Sequence, residues 1–137
     1  MRNSVPISGC AKNWNHVTIL QHKQENLIVK IDFKEIAEVK IPGMNGGTGQ
    51  MSARMHRSEK GKIIPCKIHP GGSIGLHKHE TSDDINYIIE GIGQAVCDGQ
   101  KESLQAGVCH VCPKGSEHSI VNTGTEDLVM LTVVVER

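Results

Sequence analysis

From about residue 62 onward, apolar and polar positions fall into short runs divided by glycine, proline and aspartate. Runs at 63–68, 74–79, 85–89, 93–97, 101–104, 108–112, 118–121 and 128–135 are each four to eight residues long. They are rich in β-branched residues, so they read as strands rather than helices. Pro65 cannot donate to a ladder, which places 63–68 at a sheet edge or at a strand start. Pro70-Gly71-Gly72 and Asn122-Thr123-Gly124 turn the chain, and Asp98-Gly99 between two short runs is a tight-hairpin signal. Strands recurring roughly every ten residues, with turn residues between them, predict an all-β barrel or jelly roll, because closure removes unpaired edges.

The pattern before residue 62 is different. Val29, Ile31 and Phe33 alternate and predict a strand over 27–33, after which Asp32-x-x-Glu35 reads as a capping box opening a short helix through Val39. Pro42-Gly43 ends whatever precedes it. Residues 1–24 are polar apart from a short strand-like stretch at 17–20 and hold the single tryptophan, Trp14; they read as an arm. The chain therefore divides into an N-terminal arm with an edge strand and short helix at 1–43 and a β-barrel domain at 44–137. Asn45-Gly46-Gly47-Thr48-Gly49 has neither the lysine-bearing phosphate-loop spacing nor the dinucleotide spacing, so it reads as a plain connection. Arg54 and Arg57, just beyond it, are placed to reach an acidic ligand.

Composition narrows the function. At 137 residues the chain is long enough for one core and too short for two. Fifteen Lys and Arg balance fifteen Asp and Glu, so no basic excess invites nucleic acid or an anionic membrane. No leader-like start and no long apolar run is visible, so a soluble cytoplasmic protein is expected. Five irregularly spaced cysteines (Cys10, Cys66, Cys97, Cys109 and Cys112) fit reduced thiols better than a disulfide framework. Cys109-His110-Val111-Cys112 has the spacing of a metal or redox motif. In a strand, however, its two thiols face opposite sides and cannot share an ion.

Four of the eight histidines lie between Gly71 and Asn122. His77 and His79 on one strand face the same way, with Cα atoms about 6.6 Å apart, so both imidazoles can reach one ion. Asp84 follows after a turn, where its carboxylate can swing back to that centre, and His118 from a distant hairpin supplies a third imidazole. Three nitrogens and one carboxylate leave positions open on a divalent ion, which marks a working site rather than a closed structural one. Asn86 shares the parity of Asp84 and is placed to orient a ligand or a substrate oxygen. His110 is a further candidate substrate contact, while Tyr87 faces away.

The two clusters, Gly71-x5-His77-x-His79-x4-Asp84-x6-Gly91 and Gly107-x5-Pro113-x-Gly115-x2-His118-x3-Asn122, resemble the two motifs of the cupin superfamily. The 15-residue gap between them is similar to that of small single-domain microbial members. The resemblance implies a jelly-roll barrel with a divalent metal (Mn, Fe, Ni or Zn) held inside by His77, His79, Asp84 and His118. It implies an enzyme of dioxygenase, isomerase or decarboxylase type acting on a small oxygen-bearing molecule, or alternatively a non-catalytic, sugar-like ligand-binding or sensor module. A homodimer with the arm laid across its partner is expected. The family usually carries Glu where this chain has the shorter Asp84. That leaves open direct binding, binding through water, or a three-histidine site. Val108 departs at a turn position where many relatives have an acid.

Overall fold

The structure is a computed structural model and describes residues 29–137. The arm expected at 1–24, with Trp14, Cys10 and the strand-like stretch at 17–20, falls outside the described residues. Phe33–Arg137 forms one compact unit. Its strands are β1 (Val39–Pro42), β2 (Gln50–Ala53), β3 (His56–Ser58), β4 (Gly61–Ile68), β5 (Ser73–Lys78), β6 (Ser82–Glu90), β7 (Ile92–Cys97), β8 (Gln100–Gln105), β9 (Cys109–Cys112), β10 (Glu117–Asn122) and β11 (Leu128–Glu136). The larger sheet runs β1-β2-β4-β11-β6-β9, with β3 also on β4, and the smaller runs β5-β10-β7-β8. Every pairing is antiparallel, and this is the all-β jelly-roll barrel that the alternation predicted.

Three local expectations are corrected. The helix through Val39 is only a 3₁₀ turn, Phe33–Glu35. Beyond it, Val39 pairs with Ala53 and the chain enters the larger sheet, whose ladder satisfies more backbone than a marginal helix could. Residues 29–32 have no regular structure, although alternation there suggests a strand. Pro65 is not at an edge: β4 lies between β11 on one side and β2 and β3 on the other. Its missing N–H is tolerated because the flanking chain breaks between Ala53 and His56, where the Arg54 N–H donates to the Pro65 carbonyl at 3.0 Å.

The turns behave as their residues require. Asp98 (φ 48°) and Gly99 (φ 83°) are both left-handed, as a two-residue hairpin between β7 and β8 demands. The motif glycines Gly71, Gly91, Gly107 and Gly115 all have φ between 82° and 93°. Gly91 is doubly constrained, since a Cβ there would lie 2.4 Å from the Asp127 carbonyl oxygen. Asn122 closes the second motif by donating to the carbonyls of Ile68 and Glu126 and accepting from the Gly124 N–H, each at 2.8 Å. Ser52 Oγ lies 2.6 Å from His69 Nε2, whose Nδ1 lies 2.9 Å from Asp127 Oδ1. The connectivity is that of a hydrolase triad, but Ser52 is only 1% exposed. The chain ties β2 to the start of β11.

The interior is divided along its length. Ile68, Ile88, Ala95, Leu104, Ile120, Leu128 and Met130 form the apolar half. Further along the same strands the inward positions become polar: Asp84 and Asn86 precede Ile88 on β6, His118 precedes Ile120 on β10, and Thr132 follows Met130 on β11. The apolar half supplies the burial that holds the barrel closed. The polar half holds the site.

Candidate metal centre

Each of the four expected ligands is carried to one place by a different backbone arrangement. His77 is the penultimate residue of β5, and its partner across the antiparallel ladder is His118 on β10. His79 lies just past the end of β5, held by its N–H to the Ser116 carbonyl (3.0 Å) and its carbonyl to the Gly115 N–H (2.6 Å). Asp84 enters from the opposing sheet on β6, and Lys78 between the two histidines points to solvent. One donor atom from each of His77, His79, Asp84 and His118 lies within 4.8 Å of every other.

The separations suit a shared cation. His77 Nε2 lies 3.0 Å from His79 Nε2, which lies 3.2 Å from His118 Nε2. Asp84 Oδ2 lies 3.0 Å from His118 Nε2 and 3.4 Å from His79 Nε2. Donors bound to one ion at about 2.1 Å sit about 3.0 Å apart in an octahedron and about 3.4 Å apart in a tetrahedron. The shorter side chain of Asp84 therefore reaches the cluster. Its carboxylate is buried, and lone pairs crowded together in such a site demand a compensating positive charge.

Hydrogen bonds behind the rings set which nitrogen faces inward. His77 Nδ1 donates to the Gly75 carbonyl at 2.7 Å, leaving Nε2 as the free lone pair. Asn86 Nδ2 donates to Asp84 Oδ2 at 3.2 Å, while its Oδ1 accepts from the Thr132 hydroxyl at 2.7 Å. Burial opposes the charged form of Asp84, but His118, Asn86 and His79 outweigh it and hold the carboxyl below the usual range. Burial, aided by the neighbouring His118, His77 and Lys62, holds His79 below the ordinary imidazole range against the pull of Asp84. Both groups thus favour the unprotonated form that a metal requires.

A cavity of about 270 Å³ opens onto the four donors. Asn86 lines it, in keeping with its parity. His110, the other candidate substrate contact, is absent from the wall: it stands behind His118, with its Nε2 2.8 Å from His118 Nδ1. Sequence reasoning missed Met44, Asn45, Met51, Met55, Lys62 and Thr132 in the wall. For Lys62 a signal existed, since it shares the parity of Ile64 and Cys66 on β4.

The glycine-rich segment is also more than a connection. Thr48 N–H donates to Ser73 Oγ at 2.8 Å, and the Ser73 N–H to the Thr48 carbonyl at 2.9 Å, stitching the segment to β5. A Cβ at Gly75 would meet the Asn45 carbonyl oxygen at 2.2 Å, so glycine permits the approach that brings Met44 and Asn45 over the cavity. Arg54 instead donates to the carbonyls of Phe33 and Ile36, and neither it nor Arg57 lines the cavity. On β9, Cys109 is exposed and Cys112 buried, on opposite faces as strand geometry requires.

Comparison with known proteins agrees with this geometry. Residues 66–134 match the family profile of the Cupin domain. The chain is 35% identical over 108 residues to an oxalate-binding protein of Thermotoga maritima, covering 74% of this chain and 88% of that one. It is 31% identical over 74 residues to a 5-nitrosalicylic acid 1,2-dioxygenase of a Bradyrhizobium species, covering 53% of this chain but only 35% of that protein. A Thermotoga maritima crystal structure described as a predicted oxalate decarboxylase superposes with a TM-score of 0.74 at 33% identity. The match covers 80% of this chain and 100% of that one.

Proposed function

Since the chain belongs to the cupin superfamily, we propose that it is a metal-dependent protein that takes a small organic-acid anion into its barrel and acts on it, by decarboxylase- or dioxygenase-type chemistry. The observation that carries this is the convergence of His77, His79, Asp84 and His118 on one point at the wall of a cavity that also contains Lys62. A divalent ion of the Mn, Fe, Ni or Zn class, when bound there, supplies Lewis acidity toward an oxygen of the ligand. The chain's own residues do the rest. Lys62, whose charge is felt at His79, offers a cation to the ligand's anionic group. Met44, Met51, Met55, Ile64, Ile74 and Val134 form an apolar wall that limits water. Asn86 holds the Asp84 oxygen in place.

One observation favours a second reading, in which the barrel only holds its ligand. Apart from the four donors, the ionisable groups in the wall among the described residues are Lys62 and Cys66, and burial pushes the Cys66 thiol up to about 11. Of these two, Lys62 is the one suited to proton transfer. The name of the Thermotoga maritima relative, an oxalate-binding protein, is in line with this.

Calorimetry of metal-loaded protein against oxalate and related small carboxylates, followed by product analysis with and without oxygen, tests both readings. Binding that needs the metal and weakens about tenfold in Lys62→Met, with metal affinity unchanged, is expected. Ligand recovered intact selects the holding role, and carboxylate binding indifferent to metal refutes the proposal. Pairing into a homodimer is also proposed, through the outer face of the larger sheet, where Tyr87, Ile89, Val111 and Val135 are exposed. Light scattering of the full chain checks it. Among the described residues no helix is long and apolar enough to cross a membrane.

A further inference from the structure

Behind the centre lies a second polar chain that binding of a ligand in the cavity does not use. His110 Nδ1 lies 2.7 Å from Glu102 Oε1, and His110 Nε2 lies 2.8 Å from His118 Nδ1. The ring planes are 22° from parallel and the centroids 5.0 Å apart, so the two rings meet edge to edge as an N–H···N hydrogen bond requires. His110 and His118 are almost fully buried, whereas Glu102 lies at the surface. His110 comes from β9 of the larger sheet, while Glu102 on β8 and His118 on β10 belong to the smaller, so the chain bridges the two layers.

Starting at Glu102, the chain runs with one polarity. A carboxylate only accepts, so His110 Nδ1–H donates to Glu102 and neutral His110 presents a bare Nε2. The His118 Nδ1 facing it must then carry the proton and donate. His118 Nε2 is left as a lone pair, and it is this atom that lies 3.2 Å from His79 Nε2 and 3.0 Å from Asp84 Oδ2. The opposite tautomer would donate from His118 Nε2 to Asp84 Oδ2, but it would leave no proton between His110 Nδ1 and Glu102 and would aim one at the place a cation takes. His77 is fixed in the same sense by the Gly75 carbonyl. The relay on His118 differs because it ends on an ionisable carboxylate, which pushes electron density through two imidazoles toward the inner nitrogen.

We propose that Glu102 and His110 are positioning residues that fix His118 in its Nδ1–H tautomer and so hold its Nε2 lone pair on the metal centre. The step to metal affinity rests on reading the four-donor cluster as that centre. The tautomer does not.

Two measurements separate the two parts. In metal-free protein, ¹H–¹⁵N correlation spectra of the histidine rings should show His118 protonated at Nδ1, with a slowly exchanging proton that is lost in His110→Phe. Chelator-competition titration with Mn²⁺ and Zn²⁺ should show His110→Phe weakened by about 10- to 100-fold and Glu102→Leu weakened less, by about tenfold. Glu102→Gln keeps an acceptor for His110 and should restore both the tautomer and most of the affinity, which a merely structural role for Glu102 would not require. Glu102 is exposed enough that its variants test the relay even if His110→Phe does not fold. Wild-type His118 protonated at Nε2, or an unchanged tautomer in both His110→Phe and Glu102→Leu, overturns the proposal. If the wild type binds neither ion, the reading of the cluster as a metal centre fails. The ring spectra then still decide the relay.

Discussion

Asp84→Asn is the most informative single change, because it removes a charge while keeping the shape of the side chain. Asp84 is 5% exposed and its Oδ2 lies 3.0 Å from His118 Nε2 and 3.4 Å from His79 Nε2, so the carboxylate belongs to the same cluster as the imidazoles. Removing one partner of a buried charge pair costs about 3–5 kcal/mol, because the other charge is left uncompensated. At 1.4 kcal/mol per tenfold this is a loss of roughly 150- to 3,500-fold in metal affinity. The assay is competition against a chelator of known affinity, with Mn²⁺ and Zn²⁺, on wild type and variant stripped of metal in the same way. A thermal melt of the metal-free proteins shows whether the fold survives the change. It should, since Asn retains an oxygen that can accept from Asn86. Wild-type protein that binds tightly beside a variant within threefold of it would refute the reasoning, and the centre would then be one of three histidines.

The remaining expectations concern stability, pH and thiol reactivity. Asn122→Ala deletes three hydrogen bonds and leaves the buried Ile68 carbonyl without that donor, a loss of about 2–4 kcal/mol. It should lower Tm by roughly 10 °C in scanning calorimetry, and a change under about 2 °C would show that the turn is not held this way. His79 and Asp84 are both held below their ordinary values, so the folded protein releases these protons more readily than the unfolded chain. The stability they contribute is present above the unfolded values, about 6.5 and about 3.9, and is lost as pH falls through the lowered folded ones. Melts of metal-free protein should therefore give a falling Tm between about pH 7 and about pH 5, and a rise would show the sign to be wrong. Among the described cysteines, Cys109 should be alkylated first in native protein. Burial and the adjacent Cys97 push Cys112 up to about 12, and peptide mapping that finds Cys112 modified first would contradict its burial.

The alternation of short apolar runs, the Asp98-Gly99 hairpin and the spacing of His77, His79, Asp84 and His118 determined the fold class and the four-donor cluster in advance. These features depend on local rules: the period of two along a strand, and the few residues that accept a left-handed turn. Val39 shows where local rules end, since helix or strand there was decided by the waiting edge of β2. Pro65 is another such case. Its place inside the larger sheet depends on a break in the neighbouring chain that its own residues do not reveal. His110 shows the limit most clearly. Parity placed it on the face of Cys112, but its partners Glu102 and His118 lie on strands of the other sheet. The same holds for Lys62, and for Met44 and Asn45, which reach the cavity only because Gly75 lets their segment approach β5. A strand's sequence states which side chains share a face; packing one sheet on the other decides what that face meets, because those contacts join residues distant along the chain.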